Sequence, residues 1–148
     1  NGFDFIFCEA EDFIINLFMI SPHHRCDFIQ RSLCMKENLL VDMSLDFAVD
    51  AVNICDSIKG HGSLRDQMMR SATSIGANIR EANYARSKTD FAAKLQIALK
   101  ECYETEYWID LFERTSLLDK ENLKKFRHNC GAIRRMLIAS INTVENNN

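Results

Sequence analysis

The sequence predicts an all-α protein, an up-down-up-down antiparallel four-helix bundle, and three observations predict it. The 148 residues include only one proline and five glycines, too few breakers for a fold of short strands and turns. From Ser44 onward the apolar residues recur every three or four positions, which places them on one face of a helix. Ser44, Ser63, Ser87 and Asp119 stand just ahead of these runs, where a short polar side chain caps a helix start. Four helices joined by short connections pack most simply as a bundle. A chain of this length suits one domain with a real core.

Residues 1–34 do not share the pattern, and they are read as an atypical N-terminal appendage to a bundle domain spanning residues 35–148. Phe3 to Ile20 is apolar and aromatic but interrupted by Asp4, Glu9, Glu11 and Asp12. It lacks the basic start of a signal peptide, and its acids disfavour a membrane span. Pro22, His23 and His24 are expected to separate it from the rest of the chain. The chain begins with Asn, and Met35 opens the more regular sequence. Translation from upstream of Met35 would account for the appendage; a short extra helix packed on the bundle is the alternative.

Helix one is expected to start at Ser44, with Phe47, Ala51, Ile54, Cys55 and Ile58 on one face and Gly60-His61-Gly62 as its exit. Ser63 and Asp66 form a weak capping box for helix two, whose stripe is Leu64, Met68, Ala72, Ile75, Ile79 and Ala82. Ser87 with Asp90 repeats the signal. Helix three then runs to about Arg114, with Phe91, Leu95, Ala98, Leu99, Cys102, Ile109 and Phe112 inward. Helix four begins at Asp119 and turns Leu123, Phe126, Cys130, Ile133, Leu137, Ile141 and Val144 inward, close to a seven-residue period.

Composition and motifs exclude several functions. The net charge is −3, but residues 1–34 hold five acids and two bases, so the remainder is balanced at 16 of each. A local basic face is therefore possible without general polyanion binding. The six cysteines form no C-x-x-C pair, and Cys55, Cys102 and Cys130 fall on apolar stripes. They read as reduced, buried thiols of a cytoplasmic protein rather than a disulfide framework. No Glu is followed three residues later by His, so the di-metal carboxylate site of some bundles has no counterpart. Phosphate-loop and nucleophile motifs are missing as well, and Ser71, Thr73 and Ser74 have no nearby base. The expectation is no catalytic residue, no metal and no cofactor.

Three groups of residues call for more than packing. Glu106 lies within the apolar arc of helix three, while Ser71, Ser74, Asn78 and Glu81 form a polar strip beside the apolar face of helix two. A carboxylate facing a core is costly unless paired. A buried polar network of these five residues, with Arg70 or Arg80 as partner, is one reading; a Glu bending out to water is the other. Ala93, Ile97, Trp108 and Leu111 form a second apolar stripe on helix three, suited either to an oligomer interface or to packing on helix one or the appendage. Lys124, Arg127, Arg134 and Arg135 line helix four, with Lys125 and His128 nearby. Such cations can contact the phosphates of a nucleic acid, although a solvated surface looks the same in sequence.

Residues 70–82, Arg-Ser-Ala-Thr-Ser-Ile-Gly-Ala-Asn-Ile-Arg-Glu-Ala, resemble the signature of the bacterial four-helix bundle family, known also from proteins encoded in intervening sequences of 23S ribosomal RNA genes. Ala85 to Phe91, Ile97 to Cys102 and Glu104 to Trp108 continue the resemblance, which covers about residues 40–145. Many relatives carry Ala-Glu-Gly where this chain has Arg80-Glu81-Ala82. The resemblance implies a left-handed bundle assembled into a ring, often a pentamer. It also implies kinship with the accessory variability determinant of diversity-generating retroelements, which binds reverse transcriptase and nucleic acid. The ribosomal label records where some of the genes sit. The expectation is a cytoplasmic, non-enzymatic homo-oligomer with no membrane segment, whose partner is RNA or an RNA-bound protein. The competing class is a structural or protein-interaction module without nucleic-acid binding.

Overall fold

A computed structural model of the protein describes the backbone of residues 22–146 and the side chains of residues 39–146. The expectations for residues 1–21, and for the side chains of Cys26 and Cys34, lie outside the described residues. The chain divides between Glu37 and Asn38, and the bundle is the second unit. Four helices make up the described chain: α1 Pro22–Ser57, α2 Gly62–Ala82, α3 Lys88–Arg114 and α4 Lys120–Glu145.

The start of α1 differs from expectation. The helix begins at Pro22, whose missing N–H costs nothing in a first turn. Ser44 is a mid-helix residue, buried, with its hydroxyl donating to the Val41 carbonyl at 2.8 Å. It is small because α2 passes close by: a Cβ added to Gly76 would stand 3.3 Å from the Ser44 carbonyl oxygen. Gly76→Val should therefore force α1 and α2 apart, lowering stability by about 1–3 kcal/mol in a thermal melt. An unchanged melting temperature would show that the crossing is slack.

The start of α2 also differs. His61, not Ser63, is its N-cap residue, in left-handed geometry (φ 51°) and without a side-chain cap bond. Gly60 (φ 76°) precedes it, and the His61 carbonyl accepts from the amides of Leu64 and Arg65 at 3.0 and 3.1 Å. The other two caps form as expected. Ser87 accepts from the Asp90 amide at 3.1 Å, and Asp119 from the Asn122 amide at 3.2 Å.

Contacts close the bundle as a ring of four. Ser44 on Gly76 joins α1 to α2. Ser71 and Thr105 join α2 to α3, and the Cys130 thiol, donating to the Cys102 carbonyl at 3.7 Å, joins α4 to α3. Phe47 stacks on Phe126 at 4.3 Å between ring centres and joins α1 to α4. α1 and α3 are thus diagonal, with outer faces on opposite sides. Within the ring the predicted stripes meet: Phe47, Ala51 and Cys55; Met68, Ala72, Ile75 and Ile79; Leu95, Ala98, Cys102, Ile109 and Phe112; Leu123, Phe126, Cys130, Ile133 and Leu137 are all buried. Ile54, Leu64, Phe91 and Leu99 are only half-buried at its edge. No described helix is long and apolar enough to cross a membrane.

Candidate functional site

The five residues expected to form one polar network are dispersed. Ser71 alone lies in the core, where its partner is Thr105 of α3, at 3.0 Å between hydroxyl oxygens. Ser71 donates onward to the Met68 carbonyl at 3.1 Å, and Thr105 Oγ1 also lies 2.8 Å from the Glu101 carbonyl. Each hydroxyl has one proton and donates to one acceptor at a time. Asn78 donates to the Ser74 carbonyl within its own helix at 2.8 Å. Glu81 is exposed and pairs with Lys94 at 2.6 Å. Glu106 is half-buried and meets neither Arg70 nor Arg80; its partner is Arg134 of α4, Nε to Oε1 at 2.9 Å.

Arg70 instead serves the neighbouring carboxylates. It reaches Glu104 at 2.5 Å, with Trp108 donating its indole N–H to the same oxygen at 3.3 Å. Its guanidinium stands 4.0 Å from Glu101 Oε2, which is buried without a hydrogen-bond partner. Burial, aided by the nearby Glu104 charge and opposed by Arg70, holds the Glu101 carboxyl above its ordinary 4.5. The folded protein therefore keeps this proton more tightly than the unfolded chain. The resulting stabilisation is full below the unfolded value and is lost as pH rises through the raised one. Glu101→Gln should flatten the fall in melting temperature above pH 4.5 without lowering it at neutrality. A steeper fall in the variant, followed by melts across pH, would contradict this.

The four cations proposed on α4 divide into two pairs. Arg127 bridges Asp110 at 2.6 Å and Glu113 at 2.7 Å. Arg134 pairs with Glu106 beneath the Tyr103 ring, 5.7 Å from its centre, and the hydrogen bond to Glu106 holds its proton more firmly than usual. Lys124 and Arg135 are exposed and have no ion-pair partner among the described residues. Lys125 lies 3.8 Å from Asp50 of α1.

The second stripe on α3 is only partly open. Ala93 and Ile97 are exposed, whereas Leu111 is half-buried and Trp108 packs against the core edge. A larger open apolar stripe lies on α1, where Leu45 and Val49 are 52% and 53% exposed and Val52 continues the line one turn on. A shallow groove formed by Ser44, Leu45 and Ala48 with Thr73, Gly76 and Ala77 runs beside it. The sequence carries this signal as apolar residues at i, i+4 and i+7 outside the core stripe.

Burial pushes the Cys55 thiol up to about 11, and the hydrogen-bonding contact with Cys130, then burial, raise Cys102. Thiols held protonated in this way are poor nucleophiles. No group of three His, Cys, Asp or Glu side chains able to hold a metal occurs among the described residues.

Comparison with known proteins gives one family. Residues 36–139 match the model for the 23S rRNA-intervening sequence protein. A crystal structure of a protein of unknown function from the S23 ribosomal protein family of Bacteroides thetaiotaomicron is 43% identical, with a TM-score of 0.68, covering 72% of this chain and 98% of that one. No curated protein matches.

Proposed function

The chain belongs to the 23S rRNA-intervening sequence protein family, and on that premise we propose that it is a non-enzymatic bundle that works by assembling with copies of itself. The observation that carries this reading is the exposed Leu45, Val49 and Val52 stripe on α1. The core of this unit is already closed by four helices, so the stripe has no partner inside it. A contiguous apolar patch left in water is a liability unless another surface covers it. The shallow groove beside it, lined by Leu45, Ala48, Thr73 and Ala77, adjoins the stripe and would extend the surface a second copy covers. Ala93 and Ile97 on α3 are a smaller candidate for the opposite side of a closed ring. The pentamer implied by the family resemblance is the copy number we carry forward. Native mass measurement tests it, as a multiple of 17.1 kDa.

RNA binding is the second reading, favoured by a specific imbalance. Exposed Lys100, Arg114, Lys124 and Arg135 have no ion-pair partners among the described residues and belong to α3 and α4. The outer side of α1 carries exposed Asp42, Asp46 and Asp56 instead. A polyanion would thus meet the molecule on its α3–α4 side. An accessory role beside a reverse transcriptase rests on the resemblance alone. If the protein binds no nucleic acid, it is a protein-interaction module, and the assembly reading is untouched.

A further inference from the structure

We propose that the outer face of α3, with the adjoining edge of α4, is a stacking strip for a single-stranded polynucleotide: Tyr103 and Tyr107 take bases, and Lys100, Arg114 and Arg135 take phosphates. This rests on the RNA-binding reading above and gives it a site. Lys100, Tyr103, Tyr107 and Arg114 fall within an arc of about 60° on one helix and span about 21 Å along it. The two rings are 50% and 58% exposed, although a tyrosine ordinarily lays its ring against apolar surface.

The rings are held for this use. Tyr103 lies over the Arg134 guanidinium at 5.7 Å, and that arginine is itself fixed by Glu106 at 2.9 Å. Tyr107 meets Trp108 edge to face, 4.9 Å between centres at 71°. The two tyrosines stand four residues, about one turn, apart on α3, and both remain half exposed.

The charge around the strip fits the same ligand. Four acids of α3 near it are tied to arginines: Glu104 to Arg70, Glu106 to Arg134, Asp110 and Glu113 to Arg127. Lys100 and Arg114 on the same helix, and Lys124 and Arg135 on α4, are exposed and have no ion-pair partner among the described residues. Exposed aromatics among unpaired cations are what an unpaired strand requires, since every base has a face to stack and every nucleotide a phosphate. A duplex hides its base faces and has only phosphates to offer.

The test uses the full chain and fluorescence anisotropy with a labelled oligouridylate, the matching oligothymidylate and a duplex RNA of equal length. Both single strands should bind at low salt, and the duplex about tenfold more weakly. Tyr103→Ala with Tyr107→Ala should weaken single-strand binding about tenfold or more, while the paired Tyr→Phe variant stays within about twofold. Lys100→Ala and Arg114→Ala should each reduce the salt slope by about one. If the wild type binds but the alanine pair binds equally well, or if the duplex binds as tightly, the strip is wrong and RNA binding stands. If neither strand binds at low salt, both fail. If the alanine pair changes the mass of the assembly rather than strand affinity, the face belongs to self-contact and the proposal is overturned.

Discussion

Phe126→Ala is expected to lower the stability of the bundle by about 3–5 kcal/mol, a large part of the roughly 5–15 kcal/mol that holds a domain of this size together. Phe126 is 1% exposed and stacks on Phe47 at 4.3 Å with ring planes 13° apart. The pair joins the first helix to the last across their seam. Removing one ring leaves a cavity walled by helices that cannot close in, because α1 is already held against α2 at Gly76. Calorimetry should show a melting temperature lower by about 10–20 °C. Phe126→Leu, which fills most of the space, should lose much less. A loss below about 1 kcal/mol for the alanine variant would mean that the stack does not hold α1 to α4.

Leu45→Glu combined with Val49→Glu is expected to break the assembly into single chains of 17.1 kDa. In the isolated bundle both side chains face water, and exposed substitutions ordinarily move stability by about 0.5 kcal/mol or less. In an assembly covering the stripe, two carboxylates per copy would lose their hydration, which costs several kcal/mol per ion unless a cation pairs with them. Loss of mass with unchanged helix content and melting of the single chain is therefore the predicted pattern. Light scattering and circular dichroism on the same sample would check it. An assembly of unchanged mass would move the interface elsewhere, with Ala93 and Ile97 next in line.

Much of the fold is legible in the sequence because α2, α3 and α4 bury regular stripes, and Ser87 and Asp119 cap where short polar side chains should. The departures have physical causes. Ser44 carries the same local signal as a cap, but its small size serves a close helix crossing whose other half, Gly76, lies 32 positions away in the chain. Ser63 loses the cap to His61 because the turn after Gly60 runs through consecutive left-handed residues, which sequence pattern does not reveal.

The candidate sites are less legible because pairing across helices decides them. Glu106 stands out in sequence as a carboxylate at the edge of the apolar arc, while Thr105, nearer the middle of that arc, is the polar residue that is buried. Arg134 reads along the chain as a free cation for phosphate and is instead the partner of Glu106. Trp108 reads as part of a second apolar stripe, and it is half-buried with its indole N–H on Glu104. The open stripe at Leu45, Val49 and Val52 is interleaved with the inward stripe of the same helix, whose larger Phe47 and Ile54 dominate the local pattern.

Native mass spectrometry of the unmodified chain decides whether the bundle self-assembles as proposed. The predicted result is a single closed species at an integer multiple of 17.1 kDa, five copies for the ring. A spectrum holding only the single-chain mass would contradict it.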